Sequence, residues 1–259
     1  MLHMAAQDDA REQQMLLMFN LTVPPDRTRG GLDAVLELDG QPEPIPFELK
    51  STTSKSVSTV RDMSPAHITK WRGLHWLFAF YETDSVTLRH CYYASPADMA
   101  EWFEQQERYI RPDLIIADRA PRLLSHDDLI EVVGERDFYT VEDAKAVMKK
   151  QWTAAQYVDR SNRSDGTFSP ELMLELLQER CAYVLRRGST LNNPHIPASY
   201  LTGRLEPIVK NHAATLRTLV AKYLKERAEQ VAAGVVPTED AVDPVVAQAS
   251  AAATDDATV

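Results

Sequence analysis

A chain of 259 residues is long enough for one large domain or two small ones, and 44% hydrophobic with 25% charged residues is ordinary globular composition, neither fibrous nor disulfide-built. The formal charge of −10 argues at first against a nucleic-acid partner, but every charged residue beyond Arg227 is acidic, whereas residues 180–227 hold nine Lys or Arg against two Glu, so a polyanion is not excluded. No apolar run reaches the ~18 residues of a membrane span, and no membrane partner is expected.

The first residues, Met1 to Asp9, lack the basic and apolar regions of a signal peptide. Residues 8–19, ending Met15-Leu16-Leu17-Met18-Phe19, read as an opening helix stopped by Pro24-Pro25. The alternation in Leu32 to Leu38 predicts a strand, Asp39-Gly40 a hairpin turn, and Ile45 to Lys50 the return strand. The nearly continuous apolar run Leu74–Tyr81 predicts a buried strand, and Val86–Tyr93 a fourth. Ser95-Pro96-Ala97-Asp98 carries a helix cap, a first-turn proline and a capping-box acid. Thr140 with Asp143 starts a helix to about Val158; Ser169-Pro170 starts another, with Gly188 as its stop; a last helix covers roughly 205–227. Cys91 and Cys181, the only cysteines, lie in apolar surroundings and fit reduced thiols in a cytoplasmic protein. The result is an α/β core followed by a mostly helical extension.

One group of residues carries chemistry. Side chains at i and i+2 of a strand share a face, so Glu48 and Lys50 point one way and Leu49 the other. A hairpin returns Asp33 to their side. Two carboxylates and an ammonium at one spot are costly unless a divalent ion and an anion neutralise them. Mg²⁺ suits such oxygen donors, taking one or two carboxylates along with water and substrate phosphate. A neighbouring lysine stabilises charge developing on an attacking hydroxide or a phosphate. Phosphodiester hydrolysis is the reaction implied.

At Gly31-Leu32-Asp33 and Phe47-Glu48-Leu49-Lys50-Ser51-Thr52-Thr53 the sequence resembles the PD-(D/E)XK nuclease superfamily, and within it the type II restriction endonucleases. The continuation Val57–Tyr81 is similar as well, and the resemblance extends over residues 8 to about 110. It implies a restriction-endonuclease-like mixed sheet flanked by helices, with Asp33, Glu48 and the carbonyl of Leu49 as Mg²⁺ ligands. It also implies Lys50 as the catalytic lysine and Glu12, in the first helix, as an additional acid. The residue before Asp33 is Leu rather than Pro, a departure from the motif. The products implied are 5′-phosphate and 3′-hydroxyl ends.

Downstream of the motif, Ser54, Lys55, Arg61, His67, Lys70, Trp71 and Arg72 form a basic, hydroxyl- and aromatic-bearing stretch suited to DNA-backbone contact. The segment Arg186-Arg187-Gly188 to Asn192-Asn193-Pro194-His195 is either a base-reading loop or a plain helix cap followed by a turn. His75 and His90 read as core histidines, and with Cys91 they do not make a zinc spacing. No nucleophile–His–Asp order, phosphate-binding glycine loop or dinucleotide signature is present.

The leading reading is a Mg²⁺-dependent, sequence-specific double-strand DNA endonuclease. Alternatives are another nuclease of the superfamily, of repair or resolvase type, or a noncatalytic DNA-binding protein. A double-strand cut by one gene product points to a homodimer on a palindrome, and a companion DNA methyltransferase is expected as genomic neighbour. The expected divisions are a nuclease core at 1–135, a helical recognition and dimerisation region at 136–227, and a disordered acidic tail at 228–259.

Overall fold

The computed structural model describes residues 2–25, 27, 31–60, 63–149, 151–190, 193–235 and 245–246; of residues 2–9 and 189–190 it describes the backbone only. The chain forms two compact units, Met1–Glu107 with Asn192–Asp243, and Arg108–Leu191 with Pro244–Val259. In chain order the elements of the first half are α1 (Leu2–Phe19), β1 (Ala34–Leu36), β2 (Ile45–Thr52), β3 (Ser56–Ser58), α2 (Pro65–Arg72), β4 (His75–Tyr81), β5 (Leu88–Ala94) and α3 (Pro96–Arg119). There follow α4 (His126–Val133), α5 (Val141–Met148), α6 (Ala154–Arg160), α7 (Pro170–Thr190), β6 (His195–Pro197), α8 (Ala198–Thr202) and α9 (His212–Ala232).

The first unit is organised on a mixed four-stranded sheet of order β1-β2-β4-β5. β1 and β2 are antiparallel, β2 and β4 parallel, and β4 and β5 antiparallel. All seven residues of β4 are buried, as its unbroken apolar run requires of a strand covered on both faces. One face packs Phe47, Leu49, Leu77, Ala79 and Tyr81 against Met15, Leu16 and Phe19 of α1 and Leu216 and Val220 of α9. α1 and α9 therefore close the sheet on the side opposite Glu48 and Lys50. A second, two-stranded ribbon pairs β3 with β6, with Val57 opposite Ile196 and Ser58 opposite His195. This is a restriction-endonuclease-like α/β fold.

The second unit is helical. Leu129, Tyr139, Ala144, Val147, Met148, Tyr157, Phe168, Met173 and Leu176 form its core. α4, α5 and α6 each begin with a reciprocal capping box, Ser125 with Asp128, Thr140 with Asp143, and Thr153 with Gln156. Among the described residues no helix is long and apolar enough to cross a membrane.

Several local expectations differ from what forms. Asp39-Gly40 does not make a two-residue hairpin: β1 stops at Leu36, opposite Ile45, and residues 37–44 make a longer connection in which Gly40 takes φ +84°. The single helix expected from Thr140 breaks at Lys149, which adopts the left-handed conformation, and Thr153 caps a new start. Gly188 does not stop α7, because it lacks the positive φ of a glycine cap, and the helix runs on to Thr190. The last helix starts at His212 rather than near residue 205. Ile208 is pinned in an antiparallel bridge to Cys91, its N–H donating at 2.7 Å and its carbonyl accepting at 3.0 Å, and that pairing outweighs helical tendency.

The domain boundaries also fall elsewhere than at 135/136. The division lies at Glu107/Arg108, within α3, and the chain from Asn192 returns to the first unit because β6 pairs with β3 and α9 covers the sheet. The acidic tail expected from 228 begins instead as helix, α9 continuing through its Ala-, Glu- and Gln-rich stretch to Ala232, and Val246 is buried. Most of 236–259 lies outside the described residues.

Candidate active site

The site grows out of the open part of one strand edge. β1 pairs with β2 only as far as Ala34 opposite Phe47, so beyond Phe47 that edge of β2 has no strand beside it among the described residues. Asp33, the residue before β1, fills the gap with its side chain. Its Oδ2 accepts a hydrogen bond from the main-chain N–H of Leu49 at 2.9 Å. The N–H and C=O of one strand residue project to the same side of the strand, so the carbonyl of Leu49 faces the edge where the Asp33 carboxylate lies.

Glu48 and Lys50 occupy the sheet face opposite the α1/α9 core, while Leu49 is buried within that core. Lys50 Nζ donates to Glu48 Oε1 and stands 3.9 Å from Asp33 Oδ2. The ammonium also lies over the ring of Trp71 of α2, 5.5 Å from its centre. The site thus has the two carboxylates, the ammonium and an aromatic wall that limits their solvation. Glu48 is only 4% exposed. Burial pushes its carboxyl above the usual range, Lys50 pulls it back, and the charge of Asp33 pushes it up again. A carboxylate in that position gains from any additional cation.

Two further cations take part. Arg27 spans the site: Nη2 donates to Asp33 Oδ1 at 3.1 Å and Nη1 to Glu12 Oε1 at 2.5 Å. The hydrogen bond donated to Glu12, opposed in part by burial and helped by the charges of Glu12 and Asp33, raises the guanidinium's pKa further, so it is permanently charged. Lys70 donates to the Gly31 carbonyl at 2.9 Å, anchoring the turn that presents Asp33. Arg27 was not legible as a site residue: nothing in its spacing or neighbours distinguishes it. Its place depends on a contact with Glu12, fifteen residues earlier in the chain.

Among the described residues no three Asp, Glu, His or Cys side chains converge closely enough to hold a metal unaided. The set on the sheet edge is two carboxylates and a main-chain carbonyl, all hard oxygen donors. This fits Mg²⁺, which takes few protein ligands and completes its octahedron with water and phosphate oxygen. Glu12, the expected additional acid, reaches the site only through Arg27.

The residues expected to touch DNA separate into groups. Arg72 is a correction. It points inward, 2% exposed, with Nη2 2.6 Å from Glu107 Oε1 and its guanidinium over Phe103, because the last turn of α2 packs on α3. Lys70 is engaged at Gly31, and His67 Nδ1 bonds the Ser64 hydroxyl while its ring lies against Trp71. Ser54 shapes the β2–β3 turn, its hydroxyl donating to the Ser56 carbonyl at 2.8 Å. Lys55 is exposed at that turn.

Asn193 and His195 come to the β3–β6 ribbon, where Asn193 Oδ1 accepts from the Ser58 hydroxyl at 2.7 Å and His195 is exposed opposite Ser58. Arg186 and Arg187 lie in the last turns of α7, in the second unit, so the expected single loop from 186 to 195 is divided between the two units. Arg61 and Asn192 lie outside the described residues.

Residues 3–118 match the family model described as restriction endonuclease PvuII. The match spans α1, every strand of the main sheet and the Asp33–Glu48–Lys50 constellation. Over these residues the chain is similar to the restriction endonuclease PvuII family, type II restriction endonucleases of the PD-(D/E)XK superfamily, and the match supports a type II site-specific deoxyribonuclease.

Proposed function

We propose that Asp33, Glu48 and the carbonyl of Leu49 hold the Mg²⁺ of this endonuclease, and that Lys50 acts on the transition state of phosphodiester hydrolysis. The observation that carries the reading is the bond from Leu49 N–H to Asp33 Oδ2 beside the Glu48–Lys50 pair, which brings all four groups to one strand edge. A bound Mg²⁺ supplies Lewis-acid polarisation of the scissile phosphate and a more acidic water.

The protein's own groups do the rest. Leu49 N–H fixes the Asp33 carboxylate before substrate arrives, so little reorganisation is needed at the moment of reaction. Lys50, held by Glu48 and shielded by Trp71, places a positive charge where the water oxygen bonds to phosphorus and negative charge accumulates. The bond from phosphorus to the 3′ oxygen breaks, the attacking water loses a proton to solvent, the departing 3′ oxygen takes up a proton from solvent water, and 5′-phosphate and 3′-hydroxyl ends result.

The substrate is double-stranded DNA, as the family acts on it. Lys55 and the β3–β6 ribbon with Asn193 and His195 are the proposed contacts of the first unit, and Arg186 and Arg187 those of the helical unit, which also supplies the proposed dimer contact. A homodimer gives the two oppositely directed sites that a palindromic double-strand cut needs. A companion DNA methyltransferase and a cytoplasmic location complete the proposal, the latter supported by two unpaired cysteines.

The test is cleavage of plasmid DNA in Mg²⁺ by Asp33→Ala and Glu48→Ala proteins whose circular dichroism matches wild type. Loss of cleavage in both is expected, and wild-type cleavage by either removes that residue from the site.

A further inference from the structure

The oxygen of Asp33 that is not tied to the β2 main chain is held by Arg27. Asp33 Oδ2 accepts from Leu49 N–H and lies 3.9 Å from Lys50 Nζ, whereas Oδ1 accepts from Arg27 Nη2. The same guanidinium bonds Glu12 through its other terminal nitrogen, so one planar fork joins the carboxylate before β1 to a carboxylate of α1. Glu12, Asp33 and Glu48 face Lys50 and Arg27, with Lys70 held at the Gly31 carbonyl and acting on Glu48 by its charge. Withdrawal of Arg27 from Asp33 removes one positive charge from the cluster, and a divalent ion replaces it with two. Arg27 remains 32% exposed, so its head has solvent into which to withdraw.

We propose that Arg27 is an internal counter-cation of the nuclease site: it holds Asp33 Oδ1 and Glu12 in the metal-free protein, and a divalent ion displaces it from Asp33 on binding. The argument rests on the assignment of Asp33 as a metal ligand made above. A dication bound through Oδ1 and a guanidinium donating to the same oxygen repel one another and compete for the same lone pairs. Each therefore weakens the other's hold, and the coupling is reciprocal. In this role Arg27 is a positioning residue. It keeps α1 and the Asp33 turn together when the site holds no metal, and it sets how readily the site loads.

Calorimetric titration of Mn²⁺ into the full-length protein without DNA tests this for wild type, Arg27→Gln and Asp33→Ala. Arg27→Gln is expected to lower the Mn²⁺ Kd more than twofold, with about fivefold anticipated from ordinary coupling between sites. A Kd within twofold of wild type, or weaker, overturns the role of Arg27. Asp33→Ala separates the two claims: if it binds Mn²⁺ as wild type does, the assignment of Asp33 fails, whereas its loss of binding leaves Arg27 to be judged by its own variant. Should Arg27→Gln not fold, the wild-type protein gives the second readout. The side-chain ¹⁵Nε resonance of Arg27, identified by its absence in Arg27→Lys, is expected to shift on saturation with Mg²⁺ and to stay in place when Mg²⁺ is added to Asp33→Ala. A resonance unmoved in wild type at saturating Mg²⁺ overturns the displacement.

Discussion

Arg72 and Glu107 form a buried ion pair, Nη2 to Oε1 at 2.6 Å, with both side chains almost entirely removed from solvent. The pair joins the last turn of α2 to α3, and α2 is the helix that places Trp71 beside Lys50. The contact is ionic rather than an aligned hydrogen bond, and the Arg72 guanidinium nitrogens make no hydrogen bond among the described residues. Such a guanidinium depends on the Glu107 carboxylate.

Glu107→Ala is accordingly expected to destabilise the protein by about 3–5 kcal/mol, the usual cost of stranding one member of a buried pair. The double replacement Arg72→Met with Glu107→Leu is expected to recover most of that, since it leaves no buried charge. Urea unfolding followed by circular dichroism checks both, and equal losses in the single and double variants would contradict the account.

Lys50→Ala is expected to retain DNA binding while losing cleavage by several orders of magnitude, because its charge acts where negative charge develops in the transition state. Gel-shift affinity in Ca²⁺ against single-turnover cleavage in Mg²⁺ separates the two. Weakened binding with an unchanged rate on saturating DNA is the contrary result.

His75 gives a pH dependence with a defined sign. It is buried, with Nδ1 2.8 Å from the Tyr93 hydroxyl and its ring against Phe47 and Tyr223. Burial, and secondarily the charge of Arg227, lower its pKa to about 4. The unfolded chain binds that proton near pH 6.5, so the folded state is penalised as pH falls below that value. This contribution to stability is present above pH 6.5 and is lost between there and about pH 4, at up to about 1.4 kcal/mol per pH unit. His75→Gln is expected to flatten the slope of unfolding free energy over that window. An unchanged slope would assign the acid sensitivity elsewhere.

Lys55, exposed on the turn between β2 and β3, is expected to act on DNA through charge alone. Lys55→Ala should weaken cognate and noncognate binding alike and reduce the slope of log K against log salt by about 0.9, the value for one phosphate contact. Selective loss of cognate affinity would make it a base reader instead.

The strand character of Ile45–Lys50, the buried run of β4 and the helix starts at Ser95, Thr140 and Ser169 were all legible because each is encoded within a few residues. Period-two alternation settles which side chains share a face, and a capping side chain satisfies N–H groups two or three positions away. That is enough to put Glu48 and Lys50 together on one face. The antiparallel pairing expected of the flanking strands then returned Asp33 to their side, and the structure brings it to the same strand edge.

What no local pattern encodes is which charged side chain meets which across many residues. Arg27 and Arg72 look alike in the sequence, yet one bridges Glu12 and Asp33 while the other is buried against Glu107. The return of residues 192–232 to the first unit, with β6 on β3 and α9 on the sheet, had no local signal either. Sequence by itself determined the elements and the strand face shared by Glu48 and Lys50, through short-range hydrogen bonding and periodicity. Only the tertiary structure decided the cations around the carboxylates and the membership of the two units, because those follow from long-range closure of the chain and from the cost of leaving a charge unpaired wherever closure buries it.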